Sequence, residues 1–304
     1  MRGTLNRIVV MAGLGLAASI AHAEVDVRER LATGQPPVIG SWRATGGGFP
    51  ESTLAGIQHS LNIGAEIIDL HVQLTGDGEH VVFHHARLDH STDVQVVFPD
   101  GPPGGPTREE RGGLDYTRDY TLQEVRQLRL MMDGEVTDHS IPSLAEALDL
   151  INGSRLAVLN LQEFDLNRLK AELAQRPNRN ILAYSIDPQV VREVVNATGV
   201  AGYASISQSR LYETEPPLAI LEAAAEVLGD DLVLAHLKRT RLLTPELLAR
   251  AAELGVGLSV SGYGKEDMAL GDKGDASAWL ETLGNGAIVF WTTIPDELLP
   301  ILNR

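Results

Sequence analysis

The chain has 304 residues, no cysteine and a formal net charge of -16, from 41 acidic and 25 basic side chains. Because no disulfide can form, the stability of the fold has to come from a large apolar core. Nucleic acid and anionic membrane surfaces repel such an acidic chain, so we exclude both as main partners.

The N-terminus has the composition of a secretory signal peptide. Two arginines form a basic leader, an apolar run extends from Ile8 to Ile20, and Ala21-His22-Ala23 supplies small residues for cleavage. The run is shorter than the roughly 20 residues of a membrane-spanning helix, and no later segment approaches that length. We predict a signal peptide over residues 1–23, an exported protein that is periplasmic or secreted, and no stable membrane insertion. The alternative for this segment is an uncleaved membrane anchor.

Short apolar runs alternate with helical segments along the remaining chain, which is the pattern of βαβ units and a parallel sheet. Eight runs are strand candidates, and a chain of this length fits one barrel domain. We therefore predict an α/β fold, a single-domain (β/α)8 TIM barrel over residues 24–304. The strand candidates are Pro37–Ser41, Ile67–Val72, Leu156–Leu161, Ile181–Tyr184, Val200–Ile206, Leu232–His236, Val256–Val260 and Ala287–Trp291.

Helix boundaries carry clear capping signals. Thr121 and Ser143 each stand three residues before a glutamate, as in a capping box. Asp187 and Thr244 each precede a proline that suits the first helical position, and Gly255 is placed for a left-handed cap at the end of a helix.

Three segments interrupt the alternation of strands and helices. Val81-Val82-Phe83 predicts a further short strand that leads into His84-His85. The stretch from Phe98 to Tyr120 is rich in glycine, proline and charge, and predicts an inserted surface loop after the second strand. Gly262 to Asp275 predicts a second irregular stretch, at the end of the barrel where such enzymes keep their active sites.

Polar residues at strand ends are candidates for the site. Asp69 and His71 are two residues apart on a strand, so both point to the same side, which can be the barrel interior. They are plausible ligands for a divalent cation, and the alternative is a hydrogen-bonded pair without metal. Strand alternation sends the rings of His84 and His85 to opposite sides, so only one should reach a pocket and serve as acid or base. The alternative for these histidines is a plain loop position.

A second group of candidates follows the first strand. Arg43 presents a guanidinium that matches a phosphate or a carboxylate. The three glycines that follow it let backbone approach a ligand, and the alternative is a plain loop. Glu51 precedes a predicted helix, where a carboxylate interacts favourably with the helix dipole. We also include it among the candidate catalytic residues.

Taken in order, Gly64 to Gly78 and Val81 to Thr92 resemble the long signature of the glycerophosphodiester phosphodiesterases. Ile141–Leu144, Tyr184–Pro188 and Thr292–Pro295 extend the resemblance, which spans Val38 to the C-terminus. It implies a TIM barrel and an enzyme that uses a divalent metal and two histidines. These allow a hydroxyl or water to attack phosphorus and the leaving alkoxide to be protonated.

The site of this chain departs from the family pattern. The His-Arg pair after the first strand is Trp42-Arg43, and the Glu-x-Asp metal ligands correspond to Asp69 and His71. The second catalytic histidine matches His84, and the aspartate that follows it is His85. The Glu-x-Lys of the third strand corresponds to Asn160 and Gln162, which removes a carboxylate ligand and the lysine.

We predict cleavage of a small glycerol-linked or lipid-derived phosphodiester, with a divalent cation (Mg, Ca, Mn or Zn) as cofactor. Histidine among the ligands favours a transition metal. Two alternatives stay open: another reaction class with a more apolar or aromatic substrate, and an inactive ligand-binding protein. The oligomeric state is open as well. The candidates are catalytic His84, Arg43 and Glu51; substrate-binding Arg43, Trp42 and Trp291; and metal-binding Asp69, His71 and Asn160.

Overall fold

The computed structural model describes residues 24–33, 35–207 and 216–302. The predicted signal peptide of residues 1–23 lies outside the described residues. Within the described ranges, no helix is both long enough and apolar enough to cross a membrane.

Eight parallel strands form a closed barrel, as predicted. β1 pairs with both β2 and β11, and these two pairings close the ring. β3 adds to β2 in antiparallel fashion, and β4 and β5 form a separate hairpin. The strands are β1 Val38–Ser41, β2 Ile67–Leu74, β3 His80–Val82, β4 Met131–Met132, β5 Glu135–Val136, β6 Leu156–Leu161, β7 Ile181–Ser185, β8 Ala201–Ser205, β9 Leu232–Leu237, β10 Gly257–Ser261 and β11 Val289–Thr292.

The predicted capping residues begin and end the helices as expected. Thr121 and Ser143 form capping boxes, and Asp187 and Thr244 accept hydrogen bonds from the first turns of their helices. Gly255 has a left-handed φ of 69° just after its helix. The helices are α1 Val27–Thr33, α2 Leu54–Asn62, α3 Val94–Val97, α4 Leu122–Val125, α5 Leu144–Ile151, α6 Leu166–Leu173, α7 Pro188–Thr198, α8 Pro217–Leu228, α9 Pro245–Glu253, α10 Lys265–Lys273, α11 Ser277–Leu283 and α12 Pro295–Ile301.

Strand alternation divides the apolar residues between two layers. One layer packs the outer face of the barrel against the helices, and the other fills the barrel interior. Gly40 makes room for the interior layer, because a Cβ at this position would lie 2.4 Å from Trp291 Cε3. Val27 and Leu31 of α1 join the same interior cluster.

The segment from Phe98 to Tyr120 has only the 3-10 turn Thr117–Asp119 as regular structure. It is not wholly a surface loop, because Asp115 and Tyr120 have no exposed surface. Asp115 accepts a hydrogen bond from Tyr120 and pairs with two arginines of the segment. Gly76 N, just beyond β2, donates to Tyr120 O at 2.8 Å, so the insertion is packed against the barrel.

The prediction of an irregular stretch from Gly262 to Asp275 was wrong, because this segment contains α10. Four glycines and many charges in the segment conceal a helix that is held by tertiary contacts. Asp267 is buried and accepts hydrogen bonds from Trp279, Thr292 and Thr293. These long-range partners override the weak helical propensity of the local sequence.

Candidate active site

A cleft of about 680 Å³ opens at the carboxyl ends of the barrel strands. This is the end where (β/α)8 enzymes carry out their chemistry. Trp42, Arg43, His71, His84 and Asn160 all line it, so the structure brings together most of the predicted site. The remaining lining residues are Leu161, Gln162, Phe164, Tyr184, Ser185, Ile186, Val190, Lys238, Tyr263 and Thr293.

Arg43 enters the cleft from a strained turn after β1. Its φ is 53° and that of Ala44 is 52°, a left-handed conformation that costs L residues roughly 1–2 kcal/mol each. The turn holds the guanidinium 5.6 Å from the centre of the Trp42 ring and lets Nη1 donate to Glu51 Oε2 at 3.0 Å. Arg43 Nε is buried and has no hydrogen-bond partner. The guanidinium as a whole lines the cleft, where a charged fork suits an anionic ligand.

Asp69 and His71 lie on the same side of β2, as predicted, and adjoin Asn160 on β6. Asp69 Oδ2 is 3.3 Å from His71 Nδ1. The contact lacks hydrogen-bond alignment, since His71 Nδ1 has no partner. Asn160 Nδ2 faces both residues, at 3.4 Å from Asp69 Oδ1 and 3.1 Å from His71 Nε2.

The ion implied by the family does not fit this trio. Asn160 presents an amide N–H to its two neighbours, and an N–H donor cannot coordinate a cation. Its oxygen instead accepts a hydrogen bond from Gln162 at 2.6 Å. Hard cations bind several oxygen ligands, and Asp69 is the one carboxylate of this trio. The three candidate metal ligands therefore converge as a hydrogen-bonded network.

Burial controls the charge of these groups. It raises the pKa of Asp69 to about 7, and hydrogen bonds from Asn160 and the Arg43 backbone oppose part of the change. Burial lowers the pKa of His71 to about 3, with further lowering by the Arg43 and His85 charges. Burial, His71 and Arg43 together lower the pKa of His84 to about 2. Both imidazoles are neutral at ordinary pH.

His84 and His85 lie in a bend after β3, and the prediction that their rings point to opposite sides was wrong. The ring centroids are 4.2 Å apart, and His84 Nδ1 is 3.2 Å from His85 Nε2. Strand alternation ends at Val82, so it no longer governs the two side chains. Glu51 Oε1 lies 3.5 Å from His84 Nδ1, which groups these three residues beside the cleft.

The two candidate tryptophans occupy different depths. Trp42 lines the cleft and contacts Tyr263 edge to face at 4.2 Å. Trp291 does not line the cleft. It is 4% exposed, borders a separate cavity of about 30 Å³ below, and donates its N–H to Tyr203 at 3.0 Å. Its contacts are those of a residue that fills the barrel.

Sequence reasoning missed Lys238 and Tyr263, which also line the cleft. Lys238 immediately follows β9 and Tyr263 closely follows β10. Polar or aromatic residues just beyond barrel strands are candidates for the site by position alone, and that signal could have identified both.

Comparison with known families gives a match to the Glycerophosphoryl diester phosphodiesterase family over residues 43–290. A glycerophosphodiester phosphodiesterase from Caldanaerobacter subterraneus subsp. tengcongensis is 29% identical over 115 residues, or 37% of this chain and 39% of that relative. This chain thus covers less than two thirds of that curated relative.

Solved structures share the fold. A glycerophosphoryl diester phosphodiesterase from Parabacteroides distasonis has a TM-score of 0.70 at 18% identity, with 92% of both chains covered. An Oleispira antarctica phosphodiesterase in complex with the product sn-glycerol-3-phosphate has a TM-score of 0.66 at 19% identity, with 90% of this chain and 99% of that chain covered. Because the family match extends over most of its length, this chain belongs to the glycerophosphoryl diester phosphodiesterase family.

Proposed function

We propose that this protein cleaves glycerol-linked or lipid-derived phosphodiesters in the cleft at the carboxyl end of the barrel. The observation that carries the proposal is that a positively charged side chain able to bind phosphate, Arg43, lies beside a side chain able to transfer a proton, His84. Arg43 and His84 line the same cleft, and both are held by Glu51, at 3.0 Å and 3.5 Å. Membership of the family and the product-bound Oleispira antarctica phosphodiesterase support this reaction class.

Arg43 binds the phosphate in this proposal. Its guanidinium is always charged and lines the cleft, where it can bind a phosphoryl oxygen. Lys238 gives the cleft a second cation. Two cations that line one cleft favour a substrate that carries a negative charge at its centre.

His84 transfers the proton. Its Nδ1 faces Glu51 and His85, so Nε2 is the ring nitrogen left for a substrate. Water or a substrate hydroxyl attacks phosphorus, the P–O bond to the alcohol breaks, and the departing alkoxide takes the proton of His84 Nε2. The imidazole recovers a proton at Nε2 from the oxygen that attacked, so it ends the reaction neutral again. A neutral imidazole can act as such a donor, and the pKa of about 2 keeps His84 neutral.

The test is release of a glycerol phosphate from glycerophosphocholine by the purified chain. We expect release by the parent, and a kcat lower by roughly 100-fold to 10,000-fold in His84→Asn. Arg43→Lys keeps the charge but loses the fork, so KM should rise. His90→Asn is the matched control, because its ring lies 5.2 Å from that of His85 and does not line the cleft.

The same assay separates this proposal from its alternatives. A parent that turns over only substrates without phosphorus would point to another reaction class. A rise in melting temperature with glycerophosphocholine, with no product formed, would indicate a binding protein. Parental activity in His84→Asn would show that His84 is not the proton carrier.

We further propose that the chain is exported to the periplasm or beyond. The basic leader, apolar run and Ala21-His22-Ala23 of its N-terminus support this. N-terminal sequencing of the chain recovered from the periplasmic fraction of an expressing bacterium should begin at Glu24. An intact chain found only in the cytoplasm would contradict export.

A further inference from the structure

We propose that Glu51, His84 and His85 form a site for a transition-metal ion at the edge of the cleft. The site is distinct from the trio of Asp69, His71 and Asn160 that corresponds to the ion position of the family. It adjoins the proposed catalytic cleft, but ion binding by these residues can be measured without any substrate.

The spacing of the ligand atoms carries the inference. One ligand atom from each of the three residues lies within 4.8 Å of the other two. His84 Nδ1 is 3.2 Å from His85 Nε2 and 3.5 Å from Glu51 Oε1. A tetrahedral ion with bonds of about 2.0–2.1 Å separates its ligands by roughly 3.3–3.5 Å. Two of the observed distances are therefore close to those of a formed site.

The nature of the ligands indicates the class of ion. Two imidazoles and one carboxylate suit Zn²⁺ and related transition ions and leave a position open for a further ligand. Mg²⁺ and Ca²⁺ prefer several oxygen ligands, and Glu51 is the one residue of the trio that offers oxygen. The Arg43 guanidinium, which donates to Glu51 Oε2, repels any cation, so the site needs the strong bonds that imidazoles form with transition ions.

The backbone around the two histidines is fixed on both sides. Phe83 N donates to His71 O at 2.9 Å, which anchors the bend to β2. On the other side, Thr117 N donates to Ala86 O and Leu88 N to Asp115 O, both at 2.9 Å. The packed insertion thus restrains the segment that carries both imidazoles, which reduces the entropy that ion binding has to overcome.

Competing positions are less suitable. In the described part of the chain, these residues are the one trio of histidine and acidic side chains whose ligand atoms converge. Asn160 places a donor between Asp69 and His71. His85 replaces the aspartate of the family pattern, so the substitution that removes one carboxylate also supplies the second imidazole.

The site is compatible with the proton transfer proposed for His84. An ion at Nδ1 requires the remaining ring proton to be on Nε2, the nitrogen left for the substrate. Glu51 can serve both neighbours at once, because Oε2 accepts from Arg43 while Oε1 faces His84. The ion would therefore fix the imidazole tautomer that the proposed reaction uses.

The test is a titration of the chelator-treated full chain with Co²⁺, followed by its visible absorption, and then competition with Zn²⁺. We expect one ion per chain and a tetrahedral or five-coordinate spectrum. Glu51→Gln and His85→Gln should each weaken binding by at least about 10-fold, the smallest loss typical even of supporting residues. The controls His90→Gln and Asp69→Asn should bind as the parent does.

Three results would overturn the inference. They are absence of stoichiometric binding by the parent, parental affinity in His85→Gln, and loss of binding in Asp69→Asn. Circular dichroism of each variant verifies that it is folded. The activity assay is independent: cleavage by a parent that binds no ion rejects only the metal site, and binding without cleavage rejects only the proposed reaction.

Discussion

Replacement of Asp69 by asparagine should change how stability depends on pH. Asp69 is 6% exposed, and its hydrogen-bond donors are the Asn160 amide and the Arg43 backbone, both at 3.4 Å. Burial raises its pKa from 3.8 to about 7. Three units at 1.36 kcal/mol each make ionisation cost the folded state up to about 4 kcal/mol.

The sign follows from the raised pKa. The folded state favours the protonated form of Asp69. The stability that this protonated carboxyl contributes is therefore fully present below pH 4 and is lost as pH rises to about 7. The asparagine side chain of the variant cannot ionise. The free energy of unfolding of Asp69→Asn, relative to the parent, should therefore rise between pH 4 and pH 7 and then level off.

Urea unfolding at unit steps from pH 4 to pH 8 measures this difference. Titration of His71 and His84 is common to both proteins, so it largely cancels in the comparison. Asp272→Asn, at an exposed carboxylate, is the control and should follow the parental profile. A difference that does not change with pH would refute the assignment of a buried, destabilising carboxylate.

Two further predictions concern packing. Gly40→Ala places a Cβ 2.4 Å from Trp291 Cε3 and 2.8 Å from Ile67 Cγ2. The free energy of unfolding, measured in urea, should therefore fall by about 1–3 kcal/mol. A variant as stable as the parent would show that the barrel interior has room for the methyl group. Asp115→Ala removes the fully buried carboxylate that Arg108 and Arg111 share, and Asp89 and Asp119 remain as their partners, so the cost should be about 3 kcal/mol, the lower end for a broken buried pair. Limited proteolysis should then cut the insertion faster, and an unchanged cleavage rate would contradict its packed role.

The barrel was predictable because its signals are local. Each strand is a short apolar run, and capping residues such as Ser143 and Asp187 satisfy backbone donors within their own helices. Strand alternation also predicted that Asp69 and His71 lie on the same side of β2. Such features need no knowledge of distant residues.

The remaining features depend on tertiary contacts. α10 was missed because the residues that hold Asp267 lie 12 to 26 positions further along the chain. The convergence of His84 and His85 depends on where β3 ends, because strand alternation stops at Val82. The donor role of Asn160 was equally hidden, because it depends on an amide orientation that Gln162 fixes.

The most direct test of the proposed function is the amount of glycerol phosphate released from glycerophosphocholine by the parent and by His84→Asn, measured side by side. The cleft geometry predicts steady release by the parent and a loss of at least about 100-fold in the variant. A folded parent that releases nothing, or a variant that releases as much as the parent, would contradict the assignment of this cleft as a phosphodiesterase site.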